Sequence, residues 1–188
     1  LITDDTHYLD AFIREAWITS QLDHPNIIKT HQVGIDQNNC PFFTMDLKNG
    51  SNLAQIIKSI SHKNSSHELN LSELLDIFIK ICDAIAHAHS INILHLDLKP
   101  ANIQIGEYGE VIVCDWGLAK IIGGEKSINL HREILDLDLI DTPAPDIKGT
   151  PAYMSPEQVR GEGTSQLSDI YSLAAILYEL ITLSPTIN

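Results

Sequence analysis

His95, Asp97, Lys99 and Asn102 fall within one short stretch, HLDLKPAN, and a second carboxylate follows in Asp115-Trp116-Gly117. A loop carboxylate and amide, joined by another carboxylate at a strand end, are oxygen donors of the kind that hold Mg2+ beside a phosphate. The chemistry such a set supports is transfer of a phosphoryl group. The plainer alternative is an Asx-rich turn in which Asp97 and Asn102 only satisfy nearby backbone groups. That alternative leaves Lys99-Pro100 and the later Asp-Trp-Gly unexplained.

Several elements must position these groups. Apolar runs at 91–94 and 103–105 flank the polar stretch, which predicts a loop between two buried anchors, and Pro100 should stop a helix from running through it. Residues 103–105, a turn over 106–109 and residues 111–114 read as a hairpin that delivers Asp115. Upstream, Leu9, Phe12, Ile13 and Ala16 recur at helical spacing over 6–22. Residues 27–35 and 41–47 read as two strands joined by a polar turn, and 51–60 as a short amphipathic helix followed by a polar surface loop, 61–68.

Asn70 with Glu73 is a capping-box pattern, opening a helix that should carry Leu74, Leu75, Phe78, Cys82 and Ile85 on one face. His87 and His89 lie in its last turn, but residues two apart point about 200° away from each other around a helix, so they cannot share a metal. Residues 117–149 form a long segment of little periodicity, with Ser127, Thr142 and, just beyond it, Thr150 as hydroxyls open to modification. Ser168 is the expected N-cap of a helix over 169–183, apolar on nearly every face and therefore expected to be central and buried.

Composition bounds the function. A formal net charge of -13, with only 12 Lys and Arg, argues against a nucleic-acid surface, which needs clustered cations. No run of about 18 apolar residues predicts a membrane span in this segment. Cys40, Cys82 and Cys114 lack metal-like or disulfide-like spacing, which suits a reducing, cytoplasmic setting. The chain opens on Leu1, enters a helical pattern almost at once and ends just after Ser184-Pro185, so a piece of a longer protein is expected.

Taken in order, HLDLKPAN, then DWG, GTPAYMSPEQ and SDIYSLAAILYEL resemble the motifs of a eukaryotic-type (Hanks-type) serine/threonine protein kinase, in particular bacterial members with Trp after the metal-binding Asp. The resemblance implies an α+β fold of two lobes, here truncated. Residues 1–47 would be a remnant of the small lobe, with its regulatory helix and two strands, and 48–188 the large lobe through its central helix. It implies ATP and Mg2+ as cofactors, a protein carrying Ser or Thr as substrate, and transfer of the ATP γ-phosphate to that hydroxyl. Asp97 would accept the hydroxyl proton and Lys99 neutralise the transferring phosphate. Asn102 and Asp115 would hold the metal. Glu15 would pair with an ATP-orienting lysine upstream of residue 1, Met45 would guard the pocket, and the backbone of Asp46 and Lys48 would bond adenine. Asp169 would accept hydrogen bonds from the catalytic-loop backbone, Thr150 would bond Asp97 and Lys99 when its segment is in the substrate-binding form, and Glu157, lacking its usual arginine, would be an unpaired acid.

Departures from the family pattern also carry expectations. Leu96 stands where many members have the Arg that grips a phosphorylated activation segment, which speaks against that mode of control. Ser155 replaces a common Ala, and Gln104 sits where an apolar adenine floor is usual. Lacking the Gly-rich loop and the lysine, residues 1–188 alone are expected to transfer little phosphate. A kinase-like binding module without transfer activity is the competing function, and a small-molecule phosphotransferase has no use for GTPAYMSPEQ.

Overall fold

The computed structural model describes residues 3–37, 40–47, 49–61, 69–123 and 150–184. Lys48, most of the polar loop after residue 61, and Ser127 and Thr142 within the long segment lie outside the described residues. In chain order the elements are α1 (Thr3–Gln21), β1 (Thr30–Ile35), β2 (Pro41–Met45), β3 (Gly50–Asn52), α2 (Leu53–Ser61), α3 (Leu71–Ser90) and β4 (Ile93–Leu94). A 3-10 turn (Pro100–Asn102), β5 (Ile103–Gly106), β6 (Val111–Val113) and β7 (Lys120–Ile121) follow, and after a second 3-10 turn (Pro151–Tyr153) come α4 (Pro156–Val159) and α5 (Gln166–Thr182). The mixture is α+β, as the motifs imply.

The sheets are small and antiparallel: β1 with β2, β3–β5–β6, and β4 with β7. The hairpin over 103–113 forms as its turn chemistry requires, with Ile103 opposite Val113 and Gly109 at φ 80. The strand expected from residue 27 begins at Thr30 instead. Ile27 makes only an isolated parallel bridge to Val113, because 26–28 is spent on the β6 edge, where Asn26 Nδ2 donates to the Val111 carbonyl at 2.9 Å. Ser51 and Asn52, expected to begin the helix, instead pair with β5 together with Gly50, and Asn52 then caps α2 by trading bonds with Gln55 at 2.9 and 3.0 Å.

The Asn70–Glu73 capping box is present in both directions, at 3.1 and 2.7 Å. The buried stripe of α3 is rotated from the expected one: Leu74, Ile77, Ile81, Ala84, Ile85 and Ala88 are inside, while Leu75 is exposed. This stripe keeps the i, i+3, i+4 rhythm throughout, which Leu75 does not fit. One core unites it with Leu53, Ile57, Leu98, Ile103, Val111, Val113, Trp116, Ile176 and Leu180, directly beneath the 95–102 loop.

Helix α5 corrects two expectations. Its N-cap is Ser165, and Ser168 is the third residue of that box, its hydroxyl oxygen accepting the Ser165 N–H at 3.2 Å from inside the first turn. One side of α5 is buried through Ser168, Asp169, Ser172, Ala175, Ile176, Glu179 and Leu180. Leu167, Ile170, Tyr171, Tyr178 and Ile181 are exposed, so α5 is not enclosed by the described residues.

Candidate active site

Pro100 does not merely interrupt helix. With φ fixed and no N–H to satisfy, it opens the 3-10 turn that carries Asn102 inward to 7% exposure. Asn102 Nδ2 donates to the Asp97 carbonyl at 3.0 Å and to Asp97 Oδ2 at 3.2 Å, while Lys99 Nζ reaches the same Oδ2 at 2.6 Å. The Asp97 side chain is only 10% exposed and that of Lys99 21%, so this charged contact is largely shielded from water. The turn is tied to the next strand by the Cys114 N–H, which donates to the Asn102 carbonyl at 2.9 Å. Asp115 follows directly, exposed, and at φ 64.

Asp115 and Leu96 both adopt the left-handed backbone, each at φ 64. For a non-Gly residue this costs on the order of 1–2 kcal/mol, and such cost persists only where surroundings over-determine the chain. At Leu96 the surroundings are visible: fully buried Asp169 accepts the His95 N–H and the Leu96 N–H, both at 2.9 Å, and His89 Nε2 at 2.8 Å. A carboxylate at the start of α5 also favours the helix dipole. His89 therefore does more than face a helix end; it is the third donor to this buried acid.

His95 is fully buried against Trp116, ring centroids 4.5 Å apart. Its Nδ1 accepts the Asp97 N–H and its Nε2 donates to the Cys114 carbonyl, both at 3.2 Å, which assigns the neutral Nε2–H tautomer. Burial pushes its pKa down, against smaller opposing effects from Asp169, the Cys114 carbonyl, Asp97 and Asp115. One imidazole thus spans the segments that carry the two acids. The Trp116 indole N–H is buried with no partner among the described residues, so this side chain is held by shape alone.

Glu15 of α1 faces the same place. A Cβ on Gly117 would stand 3.2 Å from Glu15 Oε2 and 3.5 Å from Asp115 Oδ1, so the glycine leaves room for two carboxylates. Desolvation, then the Asp115 charge, raises the Glu15 pKa, which marks a pair of acids suited to an intervening cation. Met45 ends β2 about half exposed. Asp46 pairs with His31 at 2.5 Å and gives its N–H to the Lys29 carbonyl at 3.1 Å. Among the described residues no three His, Cys, Asp or Glu side chains form a metal cage. Magnesium does not require one, since it is commonly held by one or two carboxylates together with phosphates and water.

One expectation, that for Glu157, is corrected here. Thr150 closes a turn through its carbonyl to the Tyr153 N–H at 3.0 Å and makes no side-chain bond to Asp97 or Lys99 among the described residues. Glu157 does not lack a partner: the Ser168 hydroxyl donates to it at 2.6 Å, and this bond leads the causes that lower its pKa. The sequence reading missed Gln158, whose Nε2 donates to the Leu96 carbonyl at 2.8 Å. Its signal was present in Ser155-Pro156-Glu157-Gln158, a capping-box pattern, and that box forms.

The fold and this cluster define a protein kinase domain, and the chain belongs to that family, whose model matches residues 2–188. The chain is 41% identical over 181 residues to the serine/threonine-protein kinase PknD of Protochlamydia amoebophila, covering 92% of this chain and 18% of that protein. It is 36% identical over 199 residues to PknD of Chlamydia abortus, covering 97% and 20%, and 37% identical over 181 residues to PknD of Chlamydia pneumoniae, covering 92% and 19%. The chain thus spans about a fifth of the length of these relatives.

Proposed function

We propose that the protein containing this chain transfers the γ-phosphate of ATP to Ser and Thr hydroxyls of polypeptide substrates. The observation that carries this reading is the convergence of Asp97, Lys99 and Asn102 in one shielded cluster, with Asp115 one residue beyond the Cys114–Asn102 backbone bond. Asp97 Oδ2 is held by Lys99 and Asn102. In this reading its carboxylate takes the hydroxyl proton as the nucleophile attacks. Lys99 Nζ offers positive charge to the phosphoryl group in transit from the same turn.

An oxygen-only donor set fits a hard cation. Asn102 spends its Nδ2 on Asp97, which turns its Oδ1 the other way, and the Asp115 carboxylate is exposed. Asn102 and Asp115 would hold Mg2+, which when bound neutralises charge on the phosphates. Glu15 would pair with a lysine outside this chain. Met45 and the backbone of Asp46 and Lys48 would receive adenine. Residues 1–47 would act as part of the small lobe and 48–188 as the large one. We place the reaction in the cytoplasm; no disulfide joins the cysteines, and no described helix is long and apolar enough to cross a membrane.

The test is phosphoamino-acid analysis after incubating the full-length protein with radiolabelled ATP, magnesium and a generic polypeptide acceptor. Phosphoserine or phosphothreonine that disappears in Asp115→Asn supports the reading. A wild-type protein that yields neither, or an Asp115→Asn variant of undiminished yield, contradicts it.

A further inference from the structure

The Leu96–Asp97 peptide precedes the acid on which the proposed transfer depends, and its orientation fixes where the Asp97 side chain leaves the backbone. With Leu96 at φ 64, that plane sits in a conformation the chain does not prefer by itself. Its N–H, from Asp97, is taken by His95 Nδ1 at 3.2 Å, and its carbonyl, from Leu96, is taken by Gln158 Nε2 at 2.8 Å. The carbonyl bond is the shorter of the two, and it comes from outside the loop.

Gln158 is locked in turn. Its Oε1 accepts both the N–H and the hydroxyl of buried Ser155, each at 3.1 Å, and only an oxygen can fill that place. The amide orientation is therefore determined, and the NH2 group must face Leu96. The same short helix is fixed to α5 by the Ser168–Glu157 bond at 2.6 Å. Glu157 and Gln158 thus connect α4 to two places at once, the start of α5 and the peptide in front of Asp97.

We propose that Gln158 is a positioning residue for phosphoryl transfer: by holding the Leu96 carbonyl it fixes the aim of Asp97 and makes that aim depend on the seating of the 150–160 segment. This rests on the reading of Asp97 as the proton acceptor. Gln158 touches no reacting atom in this account and acts only through the peptide.

Gln158→Glu separates positioning from capping. A glutamate still accepts the Ser155 N–H and keeps the cap. As an anion it has no proton for the Leu96 carbonyl and opposes it with a second acceptor. In the full-length protein, kcat should fall about 10-fold for loss of this half-buried bond, while KM for ATP and the melting temperature stay near wild type. A cap-only role predicts wild-type kcat, and that result overturns the proposal. If Gln158→Glu does not fold, Gln158→Met removes the donor without adding charge, and a wild-type kcat in it is equally fatal. Should the wild-type protein itself transfer nothing, the reading of Asp97 fails first.

Discussion

The β1–β2 hairpin and the 93–121 region are both built from short antiparallel strands, yet they are held in different ways. In the hairpin, Val33, Ile35 and Met45 are about half exposed or more, and its side-chain ties include the surface pair His31–Asp46 and the half-buried ring contact of Phe43 with Phe12 of α1, centroids 4.9 Å apart. Around the 95–102 loop, Ile93, Leu94, Leu98, Ile103 and Val113 are buried, and Asp169, His95, Gln158 and Asn102 each bond the loop backbone. The comparison teaches that the groups proposed to do chemistry are fixed by buried contacts of the protein itself. The groups proposed to grip the nucleotide stand on a far less buried frame.

The strongest challenge to this contrast is Asp169→Ala, which strands three donors of the loop and of α3 in a buried site. A loss of about 3–5 kcal/mol is expected in urea unfolding, by analogy with removing one partner from a buried charged network. Next, Ile103→Ala should cost about 2–5 kcal/mol as a buried large-to-small change, measured the same way.

A pH effect of intermediate size should follow from His95. Its folded pKa is lowered, so below about pH 6.5 the unfolded chain binds a proton that the folded chain refuses, and stability must fall with pH there. Thermal melts from about pH 7.5 to about pH 5 should show that slope, and His95→Gln should flatten most of it. His24, also lowered by burial and by His87, adds in the same direction and would leave a remainder. The smallest effect belongs to the other region: Ile35→Ala, at 68% exposure, should change stability by less than about 0.5 kcal/mol. If Ile35→Ala proved as damaging as Ile103→Ala, the two frames would not differ as described.

How much of this was legible beforehand varies with the physics involved. The 103–113 hairpin and the Asn70–Glu73 box depend on local patterns, and both were readable from residue types alone. The rotated face of α3 was not, because Leu75 and Leu74 look alike until a neighbour chooses one. Ser168 was mistaken for a cap since Ser165 offers the same chemistry three residues earlier, and only backbone geometry separates them. At the site, the Asp97–Lys99–Asn102 cluster was legible because all three sit in one turn. Glu15 was singled out only by the resemblance, and its approach to Asp115, like the Gln158–Leu96 bond, joins residues far apart in sequence, which no spacing rule connects.

The most direct test of the central claim, that Asp97 is a preset proton acceptor, is kcat of Asp97→Asn in the full-length protein with saturating MgATP and polypeptide substrate. Asparagine keeps the shape of the cluster and removes the basic oxygen, so a fall of about 10²–10⁴-fold with a near-native melting temperature is expected. Turnover equal to wild type would contradict the account, however well the remaining cluster survived.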